Sequence, residues 1–228
     1  MVSANSRNSF CGCAAVFLLI MKQIITALQV QKKNPQRVNV FINGEFAFGL
    51  ARIVTAWLKV GQALSETKIA ELKAQDEKEK ALQRALNLIS YRPRSEAEVQ
   101  NNLKKHQIPE DTIHAVVNRL RETGILDDQK FAEAWIENRA TFRPRSRLAL
   151  RMELKQKGVN EEIIEEALVH VSDEEQAYEA AQKKARQLRN KEEQEFKRKL
   201  FGFLGRRGFS YEVASSVTKK LWEEMNNE

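Results

Sequence analysis

A short motif that occurs twice constrains the fold of this chain more than any other feature. An aromatic residue followed by Arg-Pro-Arg-Ser occupies residues 91–95 and returns at residues 142–146, 51 positions later. Pairs of apolar residues follow nearly the same spacing: Val99 and Leu103, Leu150 and Leu154, Leu200 and Leu204. A chain with a period of about 50 residues is predicted to stack small similar units instead of building one large core.

Capping signals predict three short helices in each unit. Ser95 is an N-cap residue, and Glu98 three positions later completes a capping box. Pro109 can begin the next helix, and Gly124 can end it. Asp127 and Asp128 then restart the pattern.

These signals predict a mainly α fold with three tandem three-helix repeats in an elongated array, preceded by a small N-terminal β-hairpin and helix unit. The expected boundaries are 22–75 for the β unit and 76–126, 127–172 and 173–228 for the repeats. Residues 190–196 replace the Arg-Pro-Arg-Ser motif in the third repeat, so its middle helix should begin differently.

The β unit is predicted from alternating residues before and after Asn43-Gly44, a strong hairpin signal. Residues 51–59 have helical spacing of apolar side chains and predict a helix. Ser65 can cap a further helix, in which residues 73–80 are nearly all charged or small. We interpret 73–80 as a solvated helical linker.

The N-terminal extension, residues 1–21, contains an apolar run that is too short to span a bilayer. A signal peptide is one interpretation, although the residues after the run do not form a convincing cleavage region. We favour the hypothesis that Met21 is the natural start. The two cysteines lie in this extension and cannot cross-link the rest of the chain, which fits a cytoplasmic protein.

The sequence offers no catalytic constellation, metal-ligand spacing or phosphate loop, so we expect a binding protein and not an enzyme, with no cofactor. Glu161, Glu162, Glu165 and Glu166 are interpreted as a solvated helix face. The chain carries 38 lysine and arginine residues against 31 acidic ones, a net charge of +7. Such a balance favours an anionic partner.

Basic residues cluster in each repeat. The spacing of Arg143, Arg147, Arg151 and Lys155 predicts one cationic stripe along a helix. The candidate phosphate-binding surface comprises Arg92, Arg94, Arg139, Arg143, Arg145, Arg147, Arg151, Lys155, Lys197, Arg198, Arg206 and Arg207. Contacts of this kind are sequence-independent and salt-sensitive.

A stand-alone nucleic-acid-binding protein or transcription regulator of helix-turn-helix type is the alternative. The third helices would begin Pro-Glu-Asp, Asn-Glu-Glu and Ser-Tyr-Glu at residues 109, 160 and 210. Acidic starts would repel phosphate, which argues against base readout by these helices.

The chain resembles the RecX family of RecA regulators. The resemblance rests on residues 92–99, on 124–132, on Arg139, on Arg-Pro-Arg-Ser at 143–146 with 154–159, and on Arg-Arg-Gly-Phe at 206–209. It extends over roughly residues 24–225. The chain departs from the family pattern in residues 1–20 and in the missing motif of the third repeat.

The resemblance implies three tandem three-helix repeats that bind the RecA recombinase and its filament on single-stranded DNA. It implies modulation, mostly inhibition, of ATPase, strand-exchange and coprotease activities. It also leads us to expect a monomer that contacts single-stranded DNA weakly and no membrane. Binding along the filament groove and capping of a filament end both remain open.

Overall fold

The computed structural model describes residues 23–226, so the hypothesis about residues 1–20 lies outside the described part of the chain. Contacts divide the chain into two compact units between Lys80 and Ala81. We call residues 23–80 the first unit and 81–226 the second unit.

Four antiparallel strands form the sheet of the first unit, in the order β3-β2-β1-β4. They are β1 (Gln23–Val30), β2 (Arg37–Ile42), β3 (Glu45–Ala51) and β4 (Ala63–Leu64). The predicted hairpin joins β2 to β3. Asn43 and Gly44 have φ of 52° and 90°, as a two-residue loop of type I′ requires.

The helix predicted for residues 51–59 is wrong. Ala51 ends β3, and the chain continues through successive turns at 52–57. Val54 enters the core beside Leu50 and Leu64, whereas Trp57 is 87% exposed. Helical spacing was misleading here because only Val54 and Leu58 pack on the core of the sheet, whereas Ile53 and Trp57 are exposed.

The interpretation of 73–80 as a solvated linker is also wrong at one residue. This stretch lies within a continuous helix, α1 (Glu66–Tyr91). Asp76 on α1 is only 2% exposed and accepts hydrogen bonds from Ala51 N at 2.6 Å and from Arg37. Burial raises the pKa of Asp76, but hydrogen bonds from Lys80, Arg37 and Ala51 outweigh burial and lower it. Asp76 therefore ties the helix to the sheet edge.

The second unit contains the C-terminal part of α1 and the helices that follow it. These are α2 (Glu96–Lys105), α3 (Glu110–Glu122), α4 (Asp128–Phe142), α5 (Arg147–Gln156), α6 (Glu161–Leu168), α7 (Asp173–Gln187), α8 (Glu193–Gly205) and α9 (Tyr211–Asn226). We call α1–α3, α4–α6 and α7–α9 the first, second and third repeats. No helix within residues 23–226 is both long enough and apolar enough to cross a membrane.

Each repeat has its own apolar core, built from the residues that the 50-residue period predicted. The fully buried equivalent pairs are Val99 and Leu103, Leu150 and Leu154, Leu200 and Leu204. Ser95 caps α2 as predicted, and Ser146 and Asn160 cap α5 and α6; each side chain accepts from a backbone N–H in the first turn. The middle helix of the third repeat begins differently, because Glu192 occupies its N-cap without a side-chain hydrogen bond.

Candidate functional site: the repeat junctions

The Arg-Pro-Arg-Ser motifs lie where consecutive repeats meet. Each motif ends one helix, and its serine caps the next, because proline cannot continue the helix that precedes it. The first junction comprises residues 92–98 and the turn at 157–158. The second junction comprises residues 143–149 and the turn at 207–208.

At the first junction, Ser95 joins two repeats. Its Oγ accepts from Glu98 N at 3.2 Å and donates to the carbonyl oxygen of Lys157 at 2.6 Å. Gly158, with φ of 76°, follows Lys157, and a Cβ there would overlap the Cβ of Ala97. Glycine is therefore required both by the backbone conformation and by the close approach of α2.

The second junction repeats this arrangement with different atoms. Ser146 N donates to the carbonyl oxygen of Arg207 at 3.2 Å. The guanidinium of Arg207 donates in return to the carbonyl oxygen of Pro144 at 2.9 Å. A Cβ at Gly208, where φ is 91°, would lie 2.7 Å from Ser146 Oγ and 2.9 Å from Ala149 Cβ.

One carboxylate, Glu98, pairs with all three cations of the first junction. It contacts Arg92 at 2.9 Å, Lys157 at 2.9 Å and Arg94 at 3.9 Å. Burial opposes the charged form, but hydrogen bonds from Arg92 and Lys157 outweigh burial and lower the pKa of Glu98 to about 2. The predicted capping box is therefore half formed: Ser95 caps α2, and the Glu98 carboxylate serves the junction instead.

The equivalent residue at the second junction is Ala149, and no carboxylate replaces it. Within residues 23–226, neither Arg143 nor Arg207 pairs with an acidic side chain. Burial, followed by repulsion from Arg143 and Arg145, lowers the pKa of Arg207. Arg207 also lies flat over Phe203, with its guanidinium carbon 4.5 Å from the ring centre.

Glu153 compensates part of the charge next to the second junction. Its carboxylate accepts from Arg139 at 2.7 Å and from the Trp135 indole at 2.9 Å, and lies 3.2 Å from Arg145. Arg139 in turn stacks on Trp135 at 4.4 Å. Arg139 and Arg145 are thus held in place within the second repeat.

The predicted cationic stripe is confirmed on α5 for Arg147, Arg151 and Lys155, which face an acidic helix, but it is wrong for Arg143, which lies outside α5 at the C-cap of α4. Arg151 pairs with both Glu161 and Glu165, Arg147 lies 3.7 Å from Glu165, and Lys155 lies 3.4 Å from Glu161. Glu161 and Glu165 are 48% and 43% exposed, as predicted for a solvated face, and they also pair with the cations of α5. The pairs reduce the positive potential of the stripe, although all five side chains are at least one-third exposed.

In the third repeat, Lys197 pairs with Glu193 on α8. Arg198 and Arg206 are exposed, and neither has a carboxylate partner in the part of the chain that the structure describes. Arg198 lines a cavity of about 420 Å³ between α8 and α9. In that region a Phe201–Tyr211 aromatic contact replaces the Arg151–Glu161 pair of the second repeat.

Sequence reasoning missed three residues that decide the charge at the junctions: Glu98 as a charge partner, Lys157 as a junction cation and Glu153. The shift of 51 residues could have shown that Glu98 corresponds to Ala149, because the motifs on either side align without a gap. The contacts themselves join residues up to 63 positions apart and have no local signal.

Comparisons with known proteins agree with this organisation. Four family models match in order: the N-terminal domain of regulatory protein RecX at residues 23–65, and the first, second and third RecX three-helix domains at 81–120, 127–168 and 172–218.

Regulatory protein RecX of Bacillus subtilis is 35% identical over 205 residues, covering 86% of this chain and 76% of the relative. RecX of Clostridium perfringens strain SM101 is 32% identical, with 90% and 97% covered. A crystal structure of regulatory protein RecX superposes with a TM-score of 0.67 at 29% identity, covering 90% of this chain and all of the other. RecX from Lactobacillus salivarius gives 0.57 at 26% identity, covering 64% and 97%.

Proposed function

The chain belongs to the RecX family of regulatory proteins, and from that premise we propose that it binds the RecA recombinase on single-stranded DNA and lowers its activity. The observation that carries this proposal is the ordered match of one N-terminal and three three-helix domains. A regulator of a repeating filament benefits from repeats, because several weak contacts made together add avidity.

The charge distribution supports a nucleoprotein target. Basic side chains occur at both junctions and on α5. At the second junction, Arg143 and Arg207 have no carboxylate partner among residues 23–226. Phosphate contacts by such residues are independent of base sequence, as a regulator of filaments on arbitrary DNA requires. The acidic first turns of α3 and α6 make base readout by those helices unfavourable.

We also infer that the protein acts by binding and not by catalysis. Among residues 23–226, the buried polar side chains Asp76, Ser95 and Ser146 make hydrogen bonds that join elements of the fold or cap helices, and Thr55 donates to the carbonyl oxygen of Arg52. The remaining one, Thr218, has no hydrogen-bond partner among these residues. The hydrogen-bonded groups are structural, and a reacting nucleophile or base would need an accessible substrate position beside it.

The test is ATP hydrolysis by the RecA of the same organism on single-stranded DNA. We expect the full chain to lower the steady-state rate at fewer copies than RecA, because one copy spanning several protomers can affect more than one. The Lys32→Gln variant, which removes an exposed charge from the first unit, should inhibit as well as the wild type. An unchanged rate together with tight, sequence-specific binding to duplex DNA would overturn the proposal in favour of a helix-turn-helix regulator.

A further inference from the structure

Both junctions hold three cations at equivalent positions, but only at the first does a single carboxylate contact all three. The equivalent groups are Arg92, Arg94 and Lys157 at the first junction, and Arg143, Arg145 and Arg207 at the second. Glu98 contacts every cation of the first set. At the second, Glu153 reaches Arg145, and Arg143 and Arg207 have no carboxylate among residues 23–226.

The other nearby carboxylate does not distinguish the two junctions. Asp173 accepts from Arg147 N at 2.6 Å at the start of α5, and Asp128 accepts from Glu96 N at 2.8 Å at the start of α2. Each junction therefore has one such carboxylate bound to a backbone N–H. The difference in pairing comes from Glu98 against Ala149, because Glu98 contacts all three cations of the first junction whereas Glu153 reaches only Arg145 of the second set.

We propose that Arg143, Arg145 and Arg207 form a binding site for the phosphodiester backbone of single-stranded DNA, and that Glu98 closes the equivalent position at the first junction. The proposal rests on the proposed function for its ligand and assigns DNA contact to one junction. The first junction then serves to hold two repeats together.

The geometry of the second junction prepares it for a phosphate. Arg207 is fixed by its stacking on Phe203 and its hydrogen bond to Pro144, and Arg145 is held by Glu153. Only Arg143 is exposed and unheld, so binding needs little ordering of side chains. Guanidinium groups match the oxygen spacing of phosphate and can donate two hydrogen bonds to it.

An exposed aromatic ring favours nucleic acid over an acidic peptide. Phe142 precedes Arg143 directly and is 78% exposed. A base of a single strand can stack on such a ring while its phosphate reaches the arginines, and stacking accepts any base.

The decisive variant is Ala149→Glu, which gives the second junction the carboxylate of the first. Binding of a dye-labelled oligo(dT) to the full chain, measured by fluorescence anisotropy, should weaken by about tenfold, the size of one lost charge-assisted hydrogen bond. Ala149→Gln introduces a neutral side chain of nearly the same volume as glutamate, so this variant should keep the wild-type affinity. Equal affinities for the two variants would overturn the proposal.

The salt dependence gives a second, independent measurement. Arg143→Gln removes an exposed side chain that makes no hydrogen bond or ion pair among residues 23–226, so it tests the site even if Ala149→Glu does not fold. The slope of log affinity against log salt should fall by about 0.7, the value for one phosphate contact on a single strand. An unchanged slope would overturn the proposal. Inorganic phosphate is then added as a competitor at equal ionic strength. It should block oligo(dT) binding if the site takes free phosphate, and should leave binding unchanged if the site needs the DNA strand.

The failure of this inference differs from failure of the proposed function. If Ala149→Glu loses inhibition of RecA ATPase yet binds oligo(dT) normally, the junction contacts an acidic protein surface and the DNA site is wrong. If the wild type binds oligo(dT) as expected but leaves RecA ATPase unchanged, the site stands and the proposed function fails.

Discussion

The two junctions of the second unit share a backbone design and differ in the pairing of their cations. In each, an Arg-Pro-Arg-Ser segment packs on a glycine turn of the next repeat through a hydrogen bond to a carbonyl oxygen. The first adds a partly buried carboxylate, Glu98, and the second has Ala149 in its place. The difference teaches that the packing of repeats and the availability of their cations are separable. Packing depends on backbone geometry, whereas the availability of the cations depends on one side chain.

The largest expected effect tests whether both junctions depend on close packing. Gly158→Ala would force a Cβ into the Cβ of Ala97 in a backbone conformation that disfavours L residues. We expect a loss of about 3 kcal/mol in the free energy of unfolding, measured with urea, from strain and overpacking together. Gly208→Ala should lose somewhat less, because its nearest neighbour is the Ser146 hydroxyl at 2.7 Å.

Gly124→Ala is the matched control for these substitutions. Gly124 also has positive φ, at 68°, but a Cβ there would meet nothing within 4 Å. It should lose only about 1 kcal/mol, the cost of the backbone conformation alone. Equal losses at 124 and 158 would mean that the close approach at the first junction contributes nothing to stability.

An intermediate effect concerns the charge that distinguishes the junctions. Glu98→Gln should lower the free energy of unfolding by about 1–2 kcal/mol at pH 7, less than the full pKa shift implies because Arg92 is 41% exposed. The pKa of Glu98 is lower in the folded state, so its contribution is complete above about pH 4.5 and is lost as the pH falls towards about 2.

Urea unfolding of both proteins at several pH values tests this difference. The wild type and Glu98→Gln should converge near pH 2, since both then lack the charge. The difference in free energy of unfolding between the wild type and Ala149→Gln at the second junction should stay constant between pH 2 and 4.5. A constant gap between wild type and Glu98→Gln would show that the carboxylate acts by shape or by a hydrogen bond independent of its charge.

The smallest effect concerns the stripe on α5, whose cations are paired. Arg151→Gln should lower the free energy of unfolding by less than about 1 kcal/mol, because Arg151 and its partners Glu161 and Glu165 are all partly exposed. The shift in thermal midpoint measures this change. The affinity of this variant for oligo(dT) should fall by about twofold or less, against about tenfold for Arg143→Gln. A larger loss of affinity for Arg151→Gln than for Arg143→Gln would show that the stripe on α5 makes the main DNA contact.

Local signals in the sequence predicted much of the fold. Asn43-Gly44 specified a hairpin, and serine or asparagine at three N-caps specified helix starts, because each of these depends on neighbours within four residues. The helix expected at 51–59 failed since spacing alone does not reveal which apolar side chains the sheet can cover.

The candidate site was predicted as a set of basic residues, and tertiary contacts decide their different surroundings. Arg92 and Arg143 are equivalent by sequence, yet Arg92 faces a carboxylate and Arg143 does not. Asp76, expected in a solvated linker, is buried because Arg37 and Ala51 lie on a sheet built from a distant part of the chain.

By itself, the sequence determined the period of the repeats, their inward apolar pairs and their caps, because periodicity and capping are local properties. The tertiary structure decided which cations are paired, because Glu98 meets Lys157 across 59 residues and Arg207 meets Pro144 across 63. Coulomb interactions depend on distance in space, and only folding brings these residues within a few ångströms of one another.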